Sequence, residues 1–128
     1  MVTVSGQEDL EQVEEIKLTV PTLAAYSRVA RLAVTGLASR MGFSYDEIED
    51  LRIAIGEVCG LLLDNSDGRL TLRCFSTAGA LEVEATRHPV GVVPVASDLT
   101  RQILLAVVDL AEISPDEARV RVVKRRQD

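Results

Sequence analysis

Residues 44–64 read SYDEIEDLRIAIGEVCGLLLD, and this stretch decides how the chain folds. Ser44 followed three residues later by Glu47 is the pattern of a capping box, in which each side chain accepts a hydrogen bond from the backbone amide of the other residue. Apolar residues then recur every three or four positions, at Ile48, Leu51, Ile55, Val58 and Leu62. This is the spacing of one helix face, so the stretch predicts a helix from about residue 45 to 64 that packs against a sheet.

The sequence on either side of this helix predicts a sheet and two further helices. Apolar and polar residues alternate in strand-like runs near 16–20, 70–75, 81–86 and 120–122, with a short extra strand near 111–113. A helix over 22–41 is closed by Gly42, and a third helix over 98–110 is capped by Ser97 or Asp98. The element order predicts an α+β, two-layer sandwich: a mixed, mostly antiparallel sheet with helices on one face.

Length, composition and charge exclude several classes of protein. The 128 residues suit one domain over 13–126, preceded by an acidic leader over 1–12 that we expect to be disordered. The only histidine is His88, which excludes a His-rich zinc site, and a net charge of −6 disfavours binding to nucleic acid. The longest apolar run, Ile103–Val108, is too short to cross a bilayer. No secretion signal is recognisable, so we expect a cytoplasmic protein with no membrane partner.

The segment Asp50–Cys59, DLRIAIGEVC, resembles a helix of the Bergerat-fold, or histidine-kinase-like, ATPases. It is most similar to the branch of small anti-sigma factors and serine-protein kinases, and closest to the actinobacterial stress-type anti-sigma factors. The predicted element order fits as well, so the resemblance covers about Val13 to Arg126. It implies the Bergerat fold and a function in binding regulatory proteins.

The same resemblance implies a Mg-ATP site, and this chain departs from each of its three elements. In the family, a Glu acts on the attacking group and an Asn four residues later holds the metal. Glu57 matches the Glu, but Leu61 replaces the Asn and cannot ligate Mg²⁺. Arg87 and Pro89 replace the Asp and Gly of the adenine-reading motif, and an arginine cannot accept from the adenine amino group. Only Gly91 remains of a glycine-rich lid.

We therefore expect no intact nucleotide-binding residues, no metal site, and Mg-ATP as a cofactor only if the altered site still functions. We expect Glu57 to be a partly exposed helix carboxylate paired with Arg52 or Arg87. Cys59 and Cys74 fall on apolar faces of a helix and a strand, which predicts buried free thiols.

Partner binding is the part of the implied function that these departures leave intact. The resemblance implies a homodimeric anti-sigma factor that sequesters a sigma factor and is displaced by an anti-anti-sigma factor. Tyr26-Ser27-Arg28-Val29 matches the family's contact surface at the first helix, so Arg28 and Tyr26 are the predicted partner-binding residues. Two alternatives remain: an active serine/threonine kinase that phosphorylates the anti-anti-sigma factor, and a catalytically dead dimerisation scaffold. Mg-ATP binding, and loss of phosphoryl transfer in Glu57→Ala, would identify the kinase.

Overall fold

The computed structural model describes residues 14–127, and its strands and helices follow the predicted order. The strands are β1 (Glu14–Pro21), β2 (Arg69–Thr77), β3 (Ala80–His88), β4 (Leu110–Ser114) and β5 (Arg119–Arg125). The α-helices are α1 (Ser27–Arg40), α2 (Tyr45–Leu62) and α3 (Asp98–Val107), and short 3₁₀ turns occupy Ala24–Tyr26 and Pro115–Glu117. The predicted leader, residues 1–12, lies outside the described residues.

The strands form one sheet in the order β1-β2-β3-β5-β4. Every pairing in it is antiparallel, so the expected mixed sheet is corrected to a fully antiparallel one. The reason is the position of β5, which lies between β3 and β4 and runs opposite to both. Strands β3 and β4 therefore run in the same direction without pairing with each other.

The helices cover one face of the sheet, which confirms the predicted two-layer α+β architecture. Alternate residues of the central strands point into the core, where Leu72, Val83 and Val120 are each about 1% exposed. On the opposite face the intervening residues form ion pairs across the strands, such as Arg73–Glu84 and Arg121–Glu82. In the described part of the chain, no helix is both long and apolar enough to cross a membrane.

Helix α2 begins with the predicted capping box. The Ser44 amide donates to Glu47 Oε1 at 2.7 Å, and the Glu47 amide donates to Ser44 Oγ at 3.2 Å. The second carboxylate oxygen of Glu47 accepts from the Gln127 amide at 2.6 Å, so the start of α2 is tied to the chain just after β5. The hydrogen bonds from the Ser44 and Gln127 amides lower the pKa of Glu47.

Two predicted helix ends are wrong by a few residues. Helix α2 ends at Leu62 rather than near 64, because the Asp64 carboxylate accepts from the Ser66 amide at 3.1 Å and from its hydroxyl at 2.6 Å, which makes a turn. Helix α3 ends at Val107 rather than 110, because the Asp109 amide already donates to the Val123 carbonyl of β5. The edge strand β4 takes up the remaining residues.

Candidate functional site

Glu57, the family-matching acidic residue, lies half-buried on α2 and faces α3. Its Oε1 accepts a hydrogen bond from Thr100 Oγ1 at 3.0 Å. Thr100 is in the first turn of α3, where the Ser97 hydroxyl caps the Thr100 amide at 3.1 Å. Glu57 thus joins the two helices.

The expected pairing of Glu57 with Arg52 or Arg87 is wrong. Arg52 pairs with Glu49 at 2.6 Å on the outer surface of α2, because a separation of five residues turns its side chain away from that of Glu57. Arg87 pairs with Asp64, beyond the end of the helix.

Leu61 is one turn along α2 from Glu57 and is part of the hydrophobic core, with 8% of its surface exposed. It packs as an aliphatic side chain and offers no ligand to a cation. Within residues 14–127, no group of three or more His, Cys, Asp or Glu side chains is arranged to hold a metal ion.

Arg87 is unusual for an arginine, because the residue is buried with only 1% of its surface exposed. It lies on β3 in the same inward-facing row as Leu81, Val83 and Ala85. Fully buried arginines are rare unless their charge and donors are satisfied. The surroundings of this one meet both requirements.

The Arg87 guanidinium binds three separate backbone carbonyls and one carboxylate. Nη1 donates to the Leu62 carbonyl at the end of α2 at 3.2 Å and lies 3.1 Å from Asp64 Oδ2. Nε donates to the Val90 carbonyl at 3.1 Å, and Nη2 donates to the carbonyls of Val90 and Val92, the latter at 3.0 Å. The side chain therefore fastens the loop after β3 to the end of α2.

Two glycines allow this close packing. Gly91 has φ +60°, and a Cβ there would lie 3.1 Å from Arg87 Nη2. A Cβ at Gly68 would lie 2.8 Å from the His88 carbonyl oxygen, which is closer than real side chains approach a backbone atom. The predicted motif residue Pro89 is exposed in the same loop, followed by the strongly exposed Val92.

The predicted partner-binding residues lie at the start of α1, close to the end of α2, where the Ala24 amide donates to Asn65 Oδ1 at 2.9 Å. Tyr26 ends the 3₁₀ turn before α1 and packs partly against the core, whereas Arg28 is exposed in the first turn of α1. Arg28 lines a groove between α1 and α2 together with Arg31, Leu32, Thr35 and Arg52. Sequence reasoning missed Arg31 and Arg52 as members of this group, since they come together only when the helices pack.

Both cysteines are buried free thiols, as predicted. Burial raises the pKa of the Cys74 thiol to about 11. Burial also raises the pKa of the Cys59 thiol, against the opposing effects of a hydrogen bond with Ser27 and the positive charge of Arg31.

Comparison with known proteins gives a partial sequence match and a structural match over most of the chain. No family model matches the chain. The serine-protein kinase RsbW of Bacillus thuringiensis (strain Al Hakam) is 48% identical over 50 residues, which are 39% of this chain and 31% of the relative. RsbW of Bacillus anthracis (strain A0248) gives the same values. The match therefore spans about a third of the length of these curated relatives.

The crystal structure of the RsbU and RsbW domains of Rv1364c from Mycobacterium tuberculosis superposes with a TM-score of 0.67 at 13% identity. It covers 89% of this chain and 32% of that chain, and the likeness establishes the fold. Together, the sequence and structural matches confirm the resemblance to the anti-sigma factor and serine-protein kinase family of the Bergerat fold.

Proposed function

We propose that this chain, which is similar to RsbW-type proteins, is a cytoplasmic anti-sigma factor that works without ATP. It sequesters an RNA polymerase sigma factor by direct contact and is displaced by an anti-anti-sigma factor. The observation that carries the ATP-independence is the buried guanidinium of Arg87. By the resemblance, Arg87 stands at the position of the Asp that reads adenine in the family.

A purine would have to displace this guanidinium to occupy the site. The displacement would break its pairing with Asp64 and leave the buried Leu62 carbonyl without this donor, whereas the carbonyls of the exposed Val90 and Val92 would bind water instead. Each buried polar group left unpaired costs about 1–3 kcal/mol. The loop after β3 is thus fixed by the chain's own side chain, and protein binding needs no nucleotide to order it.

The test is a pairwise binding assay with each sigma factor encoded in the same genome, using biolayer interferometry with and without Mg-ATP. We expect one sigma factor to bind with the same Kd in both conditions, and calorimetry to give no heat of Mg-ATP binding. Binding that requires Mg-ATP would contradict the ATP-independence. Failure of every sigma factor to bind would contradict the anti-sigma function itself.

A second candidate is an active serine/threonine kinase acting on the anti-anti-sigma factor. The retained Glu57 and the kinase activity named for the RsbW relatives favour it. It predicts transfer of radiolabelled phosphate from ATP to an anti-anti-sigma protein of the same genome and loss of that transfer in Glu57→Gln. We expect the wild-type chain to transfer no more phosphate than Glu57→Gln does.

We also propose that the chain forms a homodimer through the groove between α1 and β1. This groove of about 350 Å³ has a mostly apolar lining, and Ile16 and Leu32 at its margin are 48% and 64% exposed. Strand β1 is an edge of the sheet, and its outer side pairs with no other strand among the described residues. Light scattering should give a dimer for the wild-type chain and a monomer for Ile16→Glu, with Val92→Glu as the exposed control. A dimer that binds no sigma factor would favour the scaffold alternative.

A further inference from the structure

Strand β4 is the edge of the sheet opposite to β1, because the strand order is β1-β2-β3-β5-β4. Among the described residues it pairs with β5 alone. The outer side of an edge strand carries backbone N–H and C=O groups that can pair with another strand. The homodimer proposed above uses the groove beside β1 and leaves this second edge open.

The backbone groups that face outward from β4 belong to Ala111 and Ile113. The Val123 carbonyl of β5 accepts from the Asp109 amide at 2.9 Å, so the backbone of Val123 faces β4. Leu110 is the residue opposite Val123 and therefore bonds to β5, and backbone direction alternates along an antiparallel strand from there. The N–H and C=O groups of Ala111 and Ile113 thus point away from β5, and they have no backbone hydrogen-bond partner within residues 14–127.

A small groove lies between this edge and helix α3. It has a volume of about 120 Å³ and is lined by Arg101, Leu104, Leu105, Ala111 and Ile113. Leu104 is buried, whereas Leu105 is 69% exposed. Arg101 is exposed and forms no ion pair in the part of the chain that the structure describes. The groove therefore offers an apolar side chain and a positive charge to a molecule from outside.

The positions of Arg101 and Leu105 match the repeat of an extended strand. They are one helical turn apart on α3, about 6 Å along the helix axis. Alternate residues of a strand are about 6.6–6.8 Å apart, and their side chains point to the same face. Because a short turn connects α3 to β4, the two run in opposite directions, which places Arg101 toward the Ile113 end of the groove and Leu105 toward the Ala111 end.

We propose that the β4 edge binds an extended segment of another protein as an additional strand. The segment pairs antiparallel with Ala111 and Ile113, the more stable direction of pairing. Its residue opposite Ile113 is acidic and pairs with Arg101, and the residue two positions later is apolar and packs on Leu105. An acidic residue, any residue and an apolar residue, in an extended chain, are thus what this edge recognises. The inference goes beyond the anti-sigma function and does not depend on it.

A second copy of this chain fits the edge less well than such a segment. Two β4 strands paired in full register would place their Glu112 side chains opposite each other, and like charges directly opposite destabilise a sheet. The copy would also present Ala111 and Ile113 to the groove, and neither supplies a carboxylate to Arg101. Charge complementarity therefore favours a different chain as the occupant.

The first test uses a synthetic peptide with Glu-Thr-Leu at its centre and threonines on both sides. Hydrogen exchange of ¹⁵N-labelled protein, followed by NMR, should slow at the amides of Ala111 and Ile113 when this peptide is added. The Glu112 amide faces β5 and is the internal control, so its exchange should not change. The matched peptide with Lys in place of Glu should bind about ten-fold more weakly or worse, because its charge repels Arg101.

Methylation of single peptide amides tests the strand geometry. In the proposed pairing the amides of the peptide's Glu and Leu face β4, whereas the amide of the threonine between them faces away. N-methylation at Leu should therefore weaken binding by about ten-fold or more, because a backbone hydrogen bond is lost and a carbonyl is left without its donor. N-methylation at the central threonine should leave the affinity within about two-fold.

Variants of the chain test the charge contact. Arg101→Glu should weaken the Glu peptide by about ten-fold or more and strengthen the Lys peptide, an exchange of preference that a purely structural effect would not give. Arg69→Glu, an equal charge change at an exposed position of β2, should leave both affinities unchanged. Urea unfolding of both variants checks that they fold.

Several outcomes would overturn the proposal. They are unchanged exchange at Ala111 and Ile113 at the highest peptide concentration, equal binding of the Lys peptide, and an unaltered affinity in Arg101→Glu. Slow exchange at both amides without peptide, increasing with protein concentration, would show that a second copy occupies the edge instead. None of these results bears on the sigma-factor assay described above, so either proposal can fail while the other stands.

Discussion

Replacing Arg87 by methionine tests whether this side chain holds the loop after β3 in place. Methionine keeps the apolar stem and removes every donor. The Leu62 carbonyl at the end of α2 then loses its Arg87 donor, at a cost of about 1–3 kcal/mol. The Asp64 side chain is 36% exposed, so solvent screening reduces the loss of its ion pair to about 1 kcal/mol or less. The Val90 and Val92 carbonyls belong to exposed residues and recover water.

These contributions predict that Arg87→Met lowers the free energy of unfolding by about 1–4 kcal/mol, a substantial share of the ~5–15 kcal/mol of an ordinary domain. Urea unfolding followed by circular dichroism measures the loss. Amide hydrogen exchange should report faster exchange in residues 88–96, where the guanidinium no longer ties the loop to α2.

The matched control is Arg119→Met. Arg119 pairs with Glu84 at 2.8 Å and with Glu117 at 3.0 Å but is 40% exposed, so its loss should cost about 0–1 kcal/mol. If Arg87→Met costs no more than this control, or if exchange in residues 88–96 is unchanged, the guanidinium does not fasten the loop and the reasoning is refuted.

Three further predictions concern packing, pH and thiol reactivity. Gly68→Ala should lower the free energy of unfolding by about 1–3 kcal/mol, because the added Cβ meets the His88 carbonyl oxygen. Gly60→Ala should raise the free energy of unfolding by roughly 0.5–1 kcal/mol, because there is open space around this position of α2. Urea unfolding measures both changes. The pKa of Glu47 is lowered in the folded state, so the stability advantage of wild type over Glu47→Gln should be full above pH 4.5, the ordinary pKa, and shrink as the pH falls through the folded value. Cys59 and Cys74 should be unreactive toward Ellman's reagent at pH 8 in the native protein and react fully in urea, because burial raises both pKa values and blocks access.

The helices could be predicted from the sequence because the signals that begin and end them lie close together along the chain. The capping box at Ser44 and Glu47 and the left-handed Gly42, with φ +85°, both act within one turn of the chain. The short edge strand β4 was also predicted, from only three residues. A mostly antiparallel sheet was predicted as well, but that every pairing is antiparallel was not, because this depends on where β5 is inserted.

The contacts of the site depend on tertiary structure and could not be predicted from the sequence pattern. Glu57 and its partner Thr100 are 43 residues apart, and the groove arginines come from different helices. One signal was present in the sequence. The alternation of β3 places Arg87 in the same row as the buried Leu81 and Val83, so the strand pattern alone predicts a buried arginine that needs several acceptors.

We expect the positions at which the chain departs from the family's nucleotide motifs to depend on one another, so that restoring one of them does not restore nucleotide binding. Arg87→Asp would return the family's adenine-reading residue but would place a second carboxylate near Asp64 and the Leu62 carbonyl. We expect it to destabilise the fold by about 1 kcal/mol more than Arg87→Met, through repulsion between partly screened like charges, and to bind no Mg-ATP in calorimetry. Adding Asp64→Asn should recover most of that extra loss. Tight Mg-ATP binding by Arg87→Asp alone would contradict this expectation. It would mean that Arg87 by itself prevents nucleotide binding, and that Leu61 and the loop around Gly91 do not.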